Sequence, residues 1–202
     1  MRPTRRALLL GLTAAALAAW PVAGGAVVTA DDRTLGAANA KVTVYEYASV
    51  TCPHCANWHR DVFPAFKAKY IDTGKVRFVF RELPTEPAEF ASAGFMVARC
   101  APKAKYFDVI DSLFAQQALV FSNQGRRWLT DAGAAGGLTA DQVRACSLDQ
   151  AGLDALNARI ERNLGEHTRI GSTPTFVIGD TILAGEQSLA ELDAVIQPLL
   201  RR

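Results

Sequence analysis

Hydrophobic and polar positions along this chain follow two periods, and the points where one gives way to the other outline its elements. Val42-Thr43-Val44-Tyr45-Glu46-Tyr47-Ala48 is rich in β-branched and aromatic residues and reads as a strand running toward Cys52. From Pro53 the apolar residues recur every four positions, at Trp58, Val62, Phe66 and Tyr70, which is one buried stripe of a helix. Pro64 falls inside that stretch and lacks the N–H a helix interior uses, so a kink is expected there. Asp72-Thr73-Gly74 ends the helix, and Val76–Arg81 reads as a second strand. A short opening strand is expected at Thr34-Leu35-Gly36.

The pattern then turns helical for a long way. Residues from 86 to 170 hold no strand signal and predict helices at 87–100, 103–119, 123–133, 139–146 and 149–170. Gly133, Gly136 and Gly137 mark a loop before Thr139, and Leu153, Leu156, Ile160 and Leu164 form the stripe of the last helix. After Gly171-Ser172-Thr173-Pro174, Thr175–Ile178 and Thr181–Ala184 read as strands joined by a two-residue turn at Gly179-Asp180. Ser188–Leu200 closes the chain as an amphipathic helix, with Ser188 as N-cap and Glu191 completing a capping box. The predicted order is strand, helix, strand, helical block, hairpin, helix.

The first thirty residues fit an address better than a fold. Arg2, Arg5 and Arg6 precede an apolar run from Ala7 to Ala19, Pro21 breaks it, and small residues continue to Ala30. That is the layout of a secretory signal, with cleavage expected near Ala26 or Ala30, and the run is short for a membrane span. Thr4-Arg5-Arg6 leaves the Sec and twin-arginine routes both open. A domain over residues 31–202 is expected after it, in a periplasmic setting. Of 22 Lys and Arg residues only these three lie in the signal, so the remainder carries 19 basic against 20 acidic side chains. No basic field exists to hold nucleic acid.

Export changes the meaning of the four cysteines. In an oxidising compartment an even count favours disulfides, whereas in the cytosol it would point to metal or transient redox work. Cys100 and Cys146 both fall in the helical block and are expected to form a structural bridge, with a second redox relay as the alternative. Cys52 and Cys55 enclose Pro53 and His54. A strand handing over to a helix at Cys52 places that sulfur among unpaired helix N–H groups. Pro53 suits the first helical position, where its missing N–H would have had no partner. Cys52 is then the exposed attacking sulfur and Cys55 the shielded resolving one. Lowering a thiol from ~8.5 to ~4.5 takes roughly 5.4 kcal/mol of preference for the thiolate. A helix terminus contributes about 0.3–1 kcal/mol, so direct N–H bonds to the sulfur and a cationic His54 are expected to supply the rest. What favours the thiolate favours the dithiol and makes the disulfide a stronger oxidant.

The strand, the Cys52-Pro53-His54-Cys55 motif, the helix kinked at proline, the helical block and the late Thr173-Pro174 before a hairpin together resemble the DsbA family of thioredoxin-fold thiol:disulfide oxidoreductases. The resemblance covers roughly residues 33–200. It implies an α/β thioredoxin fold with a helical insertion over about 86–170. Pro174 would be a cis-proline facing the disulfide, with the Thr173 backbone pairing to an extended substrate peptide. Glu46, six residues before Cys52, matches a buried acid that relays the Cys55 proton, and Arg81 is its candidate cationic partner; the plain alternative is an outward-facing strand carboxylate. Implied partners are substrate proteins with free or paired cysteines and a membrane redox protein that recycles the pair; the chain would act as a monomer without a cofactor.

Thr173 departs from the aliphatic residue common in the oxidases and occurs more often in the isomerases. The short stretch between signal and first strand leaves no room for an isomerase dimerisation domain. Three readings therefore stand: an exported dithiol oxidase, which is favoured; a reductase or isomerase; and a non-catalytic metal-binding or holdase module. Cys52, Cys55 and His59 could ligate zinc, but Cys100 and Cys146 are not spaced as a second ligand pair, so no metal is expected. Haem attachment fails because Ala56, not His, follows Cys55. Trp58, Phe63 and Phe66 are read as core, His167 as a helix-end charge, and Arg126-Arg127 as a solvated face.

Overall fold

A computed structural model describes residues 26–166 and 169–202. Residues 1–25, which hold most of the expected signal, and His167 lie outside the described residues.

A five-stranded sheet organises the molecule. Its strands are β1 (Arg33–Leu35), β2 (Val42–Ala48), β3 (Val76–Glu82), β4 (Thr175–Ile178) and β5 (Thr181–Ala184), in the spatial order β1-β3-β2-β4-β5. β2 and β3 are parallel and the other neighbours antiparallel. The crossover between β2 and β3 is α1 (Pro53–Asp61), α2 (Phe63–Phe66) and a π turn at Lys67–Ile71. Pro64 opens α2 in its first turn instead of bending one continuous helix, because the chain breaks first at Val62 and no N–H is then needed. The hairpin turn at Gly179-Asp180 uses a left-handed Gly179 with φ 56°.

The insertion between β3 and β4 is α3 (Ala88–Cys100), a 3₁₀ turn (Lys103–Lys105), α4 (Tyr106–Ala115), α5 (Ala118–Phe121), α6 (Gly125–Ala135), α7 (Ala140–Ser147) and α8 (Gln150–Glu166). The single helix expected over 103–119 is thus three pieces, and the helix expected to run to 170 is described as far as Glu166, with a turn at residue 169. The C-terminal helix α9 (Leu189–Arg201) starts at Ser188, whose hydroxyl accepts from the Glu191 N–H while the Glu191 side chain returns to the Ser188 N–H. Cys100 and Cys146 are bonded, tying α3 to α7. This is an α/β thioredoxin fold carrying a helical insertion.

Alternation along β2 sorts its side chains onto two faces. Val42, Val44 and Ala48 join the main core with Phe78, Phe80 and Phe176, and Glu46 shares their side. Tyr45 and Tyr47 face the other way with Val79 and Val177. Glu46 stands in register with Phe80 on one neighbour and Phe176 on the other, so a carboxylate occupies the middle of the apolar face. Trp58, Phe63 and Phe66 are buried in that core, with the Trp58 ring 4.7 Å from Phe176. Arg126 and Arg127 are exposed.

Candidate active site

Cys52 is the N-cap of α1 and Pro53 its first residue. The expected strand–helix junction therefore presents the Cys52 sulfur to the free N–H groups of the first turn. Both Cys52 and Cys55 are free thiols here, and both are buried. Their acidities diverge. Cys52 is lowered to about 5, first because the Cys55 thiol donates to it, then through Thr173 and the backbone N–H groups of Cys55 and His54, against the opposing effect of burial. Cys55 is pushed up, chiefly by burial, then by that same bond to Cys52 and by the charge of Glu46. One proton is thereby held on the inner sulfur while the outer one is anionic.

The Thr173–Pro174 peptide is cis and lies against this site, with Cys52 Sγ 3.3 Å from the Thr173 carbonyl. As a thiol Cys52 donates to that oxygen, which favours the neutral form; the donors aimed at the sulfur outweigh it. The Gly185 N–H donates to the Pro174 carbonyl, so the loop after β5 fixes the cis-proline segment. Gln117, between α4 and α5, donates to the carbonyls of Val50 at 2.8 Å and Cys52 at 3.0 Å and clamps the approach to α1 from the insertion side.

Two side chains differ from expectation. The His54 ring is turned to Glu186, with Nδ1 2.5 Å from its Oε1; residue 54 aids Cys52 through its backbone N–H, with a smaller charge interaction between the ring and the Cys52 sulfur. Glu186 raises the His54 pKa above the ordinary imidazole value by accepting that bond and by its charge. Arg81 is not the partner of Glu46. It stands in register with Tyr47, on the opposite face of the sheet, where it meets Asp32, Glu166, the Tyr47 hydroxyl and the Val27 carbonyl. The Glu46 partner is His59, whose Nε2 lies 2.9 Å and 3.2 Å from the two carboxylate oxygens; both residues are buried. Among the described residues no cluster of His, Cys, Asp and Glu could hold a metal ion.

Sequence reasoning passed over Glu186 and Gln117, and nothing in their local pattern marks them. His59 did carry a signal, since it is four residues beyond Cys55 and on the same helix face.

An N-terminal helix dithiol facing a cis-proline on this sheet defines a thioredoxin-fold dithiol protein. A thioredoxin family model matches residues 28–198. The chain belongs to the DsbA-like thioredoxin-fold oxidoreductase family. A Rickettsia conorii protein named as a protein-disulfide oxidoreductase is 30% identical over 172 residues, covering 84% of this chain and 61% of the relative. Disulfide bond formation protein D of Bacillus subtilis is 25% identical over 182 residues, covering 83% of this chain and 76% of that protein. The crystal structure of alpha-DsbA1 from Wolbachia pipientis superposes with a TM-score of 0.78 at 27% identity, covering 87% of this chain and 94% of that one. Against its Rickettsia relatives the chain spans 43% to 61% of their length.

Proposed function

We propose that this protein is an exported thiol:disulfide oxidoreductase that donates a Cys52–Cys55 disulfide to substrate proteins. The observation that carries this reading is geometric: Cys52 caps α1 against the cis Thr173–Pro174 peptide with Cys55 buried behind it, an arrangement that lowers the Cys52 thiol and raises that of Cys55. A substrate thiolate attacks Cys52 Sγ; the Cys52–Cys55 bond breaks and Cys55 takes up a proton. A second substrate thiolate then attacks its own sulfur in the mixed disulfide, and Cys52 leaves as the stabilised thiolate. The substrate loses two electrons and the enzyme gains them as the dithiol. A stabilised leaving thiolate drives the exchange toward substrate oxidation. Thr173 and Pro174, beside Cys52, receive the substrate backbone, and a membrane redox partner removes the electrons. The protein acts as a monomer.

Export rests on the basic and apolar pattern of residues 1–30. No helix among the described residues is long and apolar enough to cross a membrane. The Val27 carbonyl accepts from Arg81 at 2.9 Å, and Val28 packs on the second apolar face of the sheet. Cleavage after Ala26 keeps both of these contacts but removes Ala26, whose carbonyl accepts from the Tyr45 hydroxyl at 2.6 Å, and cleavage after Ala30 removes all three. The intact mass of the exported protein reads the cut directly.

The functional test mixes the oxidised protein with a reduced, unfolded disulfide-containing substrate. Native disulfides should appear at the expense of the Cys52–Cys55 bond, and Cys55→Ser, its Cys52 first loaded as a mixed disulfide with a small aromatic thiol, should pass that disulfide to a single-cysteine substrate with release of the small thiol and remain joined to it. Substrate reduction by the dithiol form as the favoured direction would overturn the oxidase reading, and partner binding that survives Cys52→Ser with no exchange would favour a non-catalytic module.

A further inference from the structure

The direction in which the Cys52 sulfur points is set by the backbone that delivers it, a turn from Ser49 to Cys52 between β2 and α1. The Cys52 N–H closes that turn on the Ser49 carbonyl at 3.1 Å, and Cys52 then enters α1 as an N-cap in extended conformation. Fixing the plane of the Cys52 carbonyl fixes ψ at Cys52, and with it the bearing of Sγ on the first N–H groups of the helix. Two groups outside the turn hold it. Thr85, after β3, meets its hydroxyls: the Thr85 N–H donates to Ser49 Oγ at 3.0 Å, and the Thr85 carbonyl accepts from Thr51 Oγ1 at 2.8 Å. Gln117 meets its backbone. The Gln117 side-chain amide donates to the carbonyls of Val50 at 2.8 Å and Cys52 at 3.0 Å. Among the described residues the Val50 carbonyl receives no backbone N–H.

Gln117 lies between α4 and α5, within the helical insertion, and is buried. Glutamine is mostly an exposed residue, and burying an amide costs free energy unless its hydrogens are paired. Here one NH₂ group serves the two carbonyls on either side of Thr51, which accept and cannot donate, so the nitrogen faces the turn. We propose that Gln117 is a positioning residue of the exchange reaction: it extends the insertion's grip to the Cys52 backbone and holds the sulfur where it leaves as a thiolate. The inference rests on the oxidoreductase reading above. Gln117 makes no hydrogen bond to either sulfur and acts through the Val50 and Cys52 carbonyls.

Positioning has a consequence that packing lacks. An amide that only fastens the insertion to the sheet stabilises the dithiol and the disulfide forms alike. An amide that fixes the bearing of Sγ stabilises the dithiol more, because there Cys52 is an anion, lowered to about 5 by the Cys55 thiol and by the N–H groups it faces. In the disulfide that charge is gone. Without the two bonds from Gln117 the turn relaxes, the sulfur meets its donors less squarely, and the Cys52 thiol moves back up toward the ordinary range. The dithiol then loses stability relative to the disulfide, which becomes a weaker oxidant.

The test compares the wild type with Gln117→Leu and Gln117→Met, which keep side-chain bulk and remove the donor. Val120→Ala is the control, since it takes buried packing from the same short helix and leaves the amide in place. Two quantities are read: the ultraviolet titration of the Cys52 thiolate and the equilibrium constant with glutathione. Positioning predicts that both Gln117 variants move the titration up by about one pH unit and the equilibrium about tenfold toward the protein disulfide. Val120→Ala should lower stability in denaturant and move neither. Unmoved values in both Gln117 variants, or an equal movement in Val120→Ala, would overturn the positioning role while leaving the oxidoreductase reading intact. A wild-type pair that does not exchange with glutathione would overturn both. Should the Gln117 variants not fold, the wild type still decides by NMR: the Gln117 amide hydrogens are required to shift as Cys52 titrates at about 5 in the dithiol and to stay constant there in the disulfide. Amide signals blind to that titration contradict the proposal.

Discussion

The sheet holds buried charge in two places, and they are built in opposite ways. At the far ends of β2 and β3 Arg81 is saturated, with Asp32, Glu166, the Tyr47 hydroxyl and the Val27 carbonyl around one guanidinium, which also lies over the Tyr45 ring. Its neighbour Glu82 is likewise gripped by Arg99, Arg159 and the Tyr106 hydroxyl. These partners come from the N-terminal segment, α3, α4 and α8, so the cluster ties the insertion and the chain's start to the sheet. Under the dithiol, Glu46 bonds to one titratable partner that is itself half satisfied. Several partners fix a charge and make a joint, whereas Glu46 meets a single imidazole. One cluster ties separate elements to the sheet, and the other sets a lone carboxylate–imidazole pair beneath the dithiol.

Substitutions should separate the two. The largest effect belongs to the dithiol: Cys52→Ser should abolish substrate oxidation outright, measured as disulfides formed per enzyme, without loss of fold. Arg81→Met comes next. It strands the buried Asp32, leaves the partly exposed Glu166 unpaired, and should remove about 3 kcal/mol of stability by chemical denaturation, with activity per folded molecule kept. If Arg81→Met were harmless, the structural half of the comparison would fail. Replacing Cys100 and Cys146 together with Ala releases the link between α3 and α7 and should cost about 2–4 kcal/mol, leaving the Cys52 thiolate titration where it was; a shifted titration would make the bridge a redox element. Glu46→Gln keeps the shape and removes the charge. It should slow the Cys55 step about tenfold or more and lower the raised Cys55 thiol, since Glu46 contributes to holding it up. A loss of stability as large as that of Arg81→Met would erase the contrast. The smallest change is expected from Glu186→Gln, which should let the His54 titration fall back toward the ordinary imidazole range by NMR while Cys52 stays nearly unmoved, because the help Cys52 draws from residue 54 is a backbone N–H.

Most of the fold was legible because its signals are local. The period-two runs at 42–48 and 175–184, the four-residue stripe from Trp58 to Tyr70, and the capping box at Ser188 each depend on neighbours in sequence. Within the insertion the break after Phe121, expected between 119 and 123, falls at a left-handed Asn123 with φ 60°, whereas the one after Ala115 has no breaker residue and sits where Gln117 turns to the Val50 and Cys52 carbonyls. At the site, the Cys52-Pro53-His54-Cys55 motif announced itself, but partner choice did not. Arg81 is the nearest cation on the adjoining strand, yet it stands in register with Tyr47, so alternation sends it to the other face. Counting faces would have excluded it, and counting four residues along α1 from Cys55 would have brought in His59. Glu186 reaches His54 across 132 positions of sequence, a distance no local pattern spans.

The most direct test of the central claim is the equilibrium reduction potential of the Cys52–Cys55 pair, measured in glutathione buffers across pH. Because the folded Cys52 is lowered to about 5, below an ordinary thiol near ~8.5, its thiolate stabilises the dithiol form at high pH. That advantage is complete above the ordinary value and is lost as pH falls through about 5. A potential toward the oxidising end of the ~−120 to −270 mV span of these enzymes, with the dithiol losing its extra stability as the pH drops toward 5, is the predicted result. A potential at the reducing end, or one whose pH dependence shows no ionisation near 5, would contradict the account.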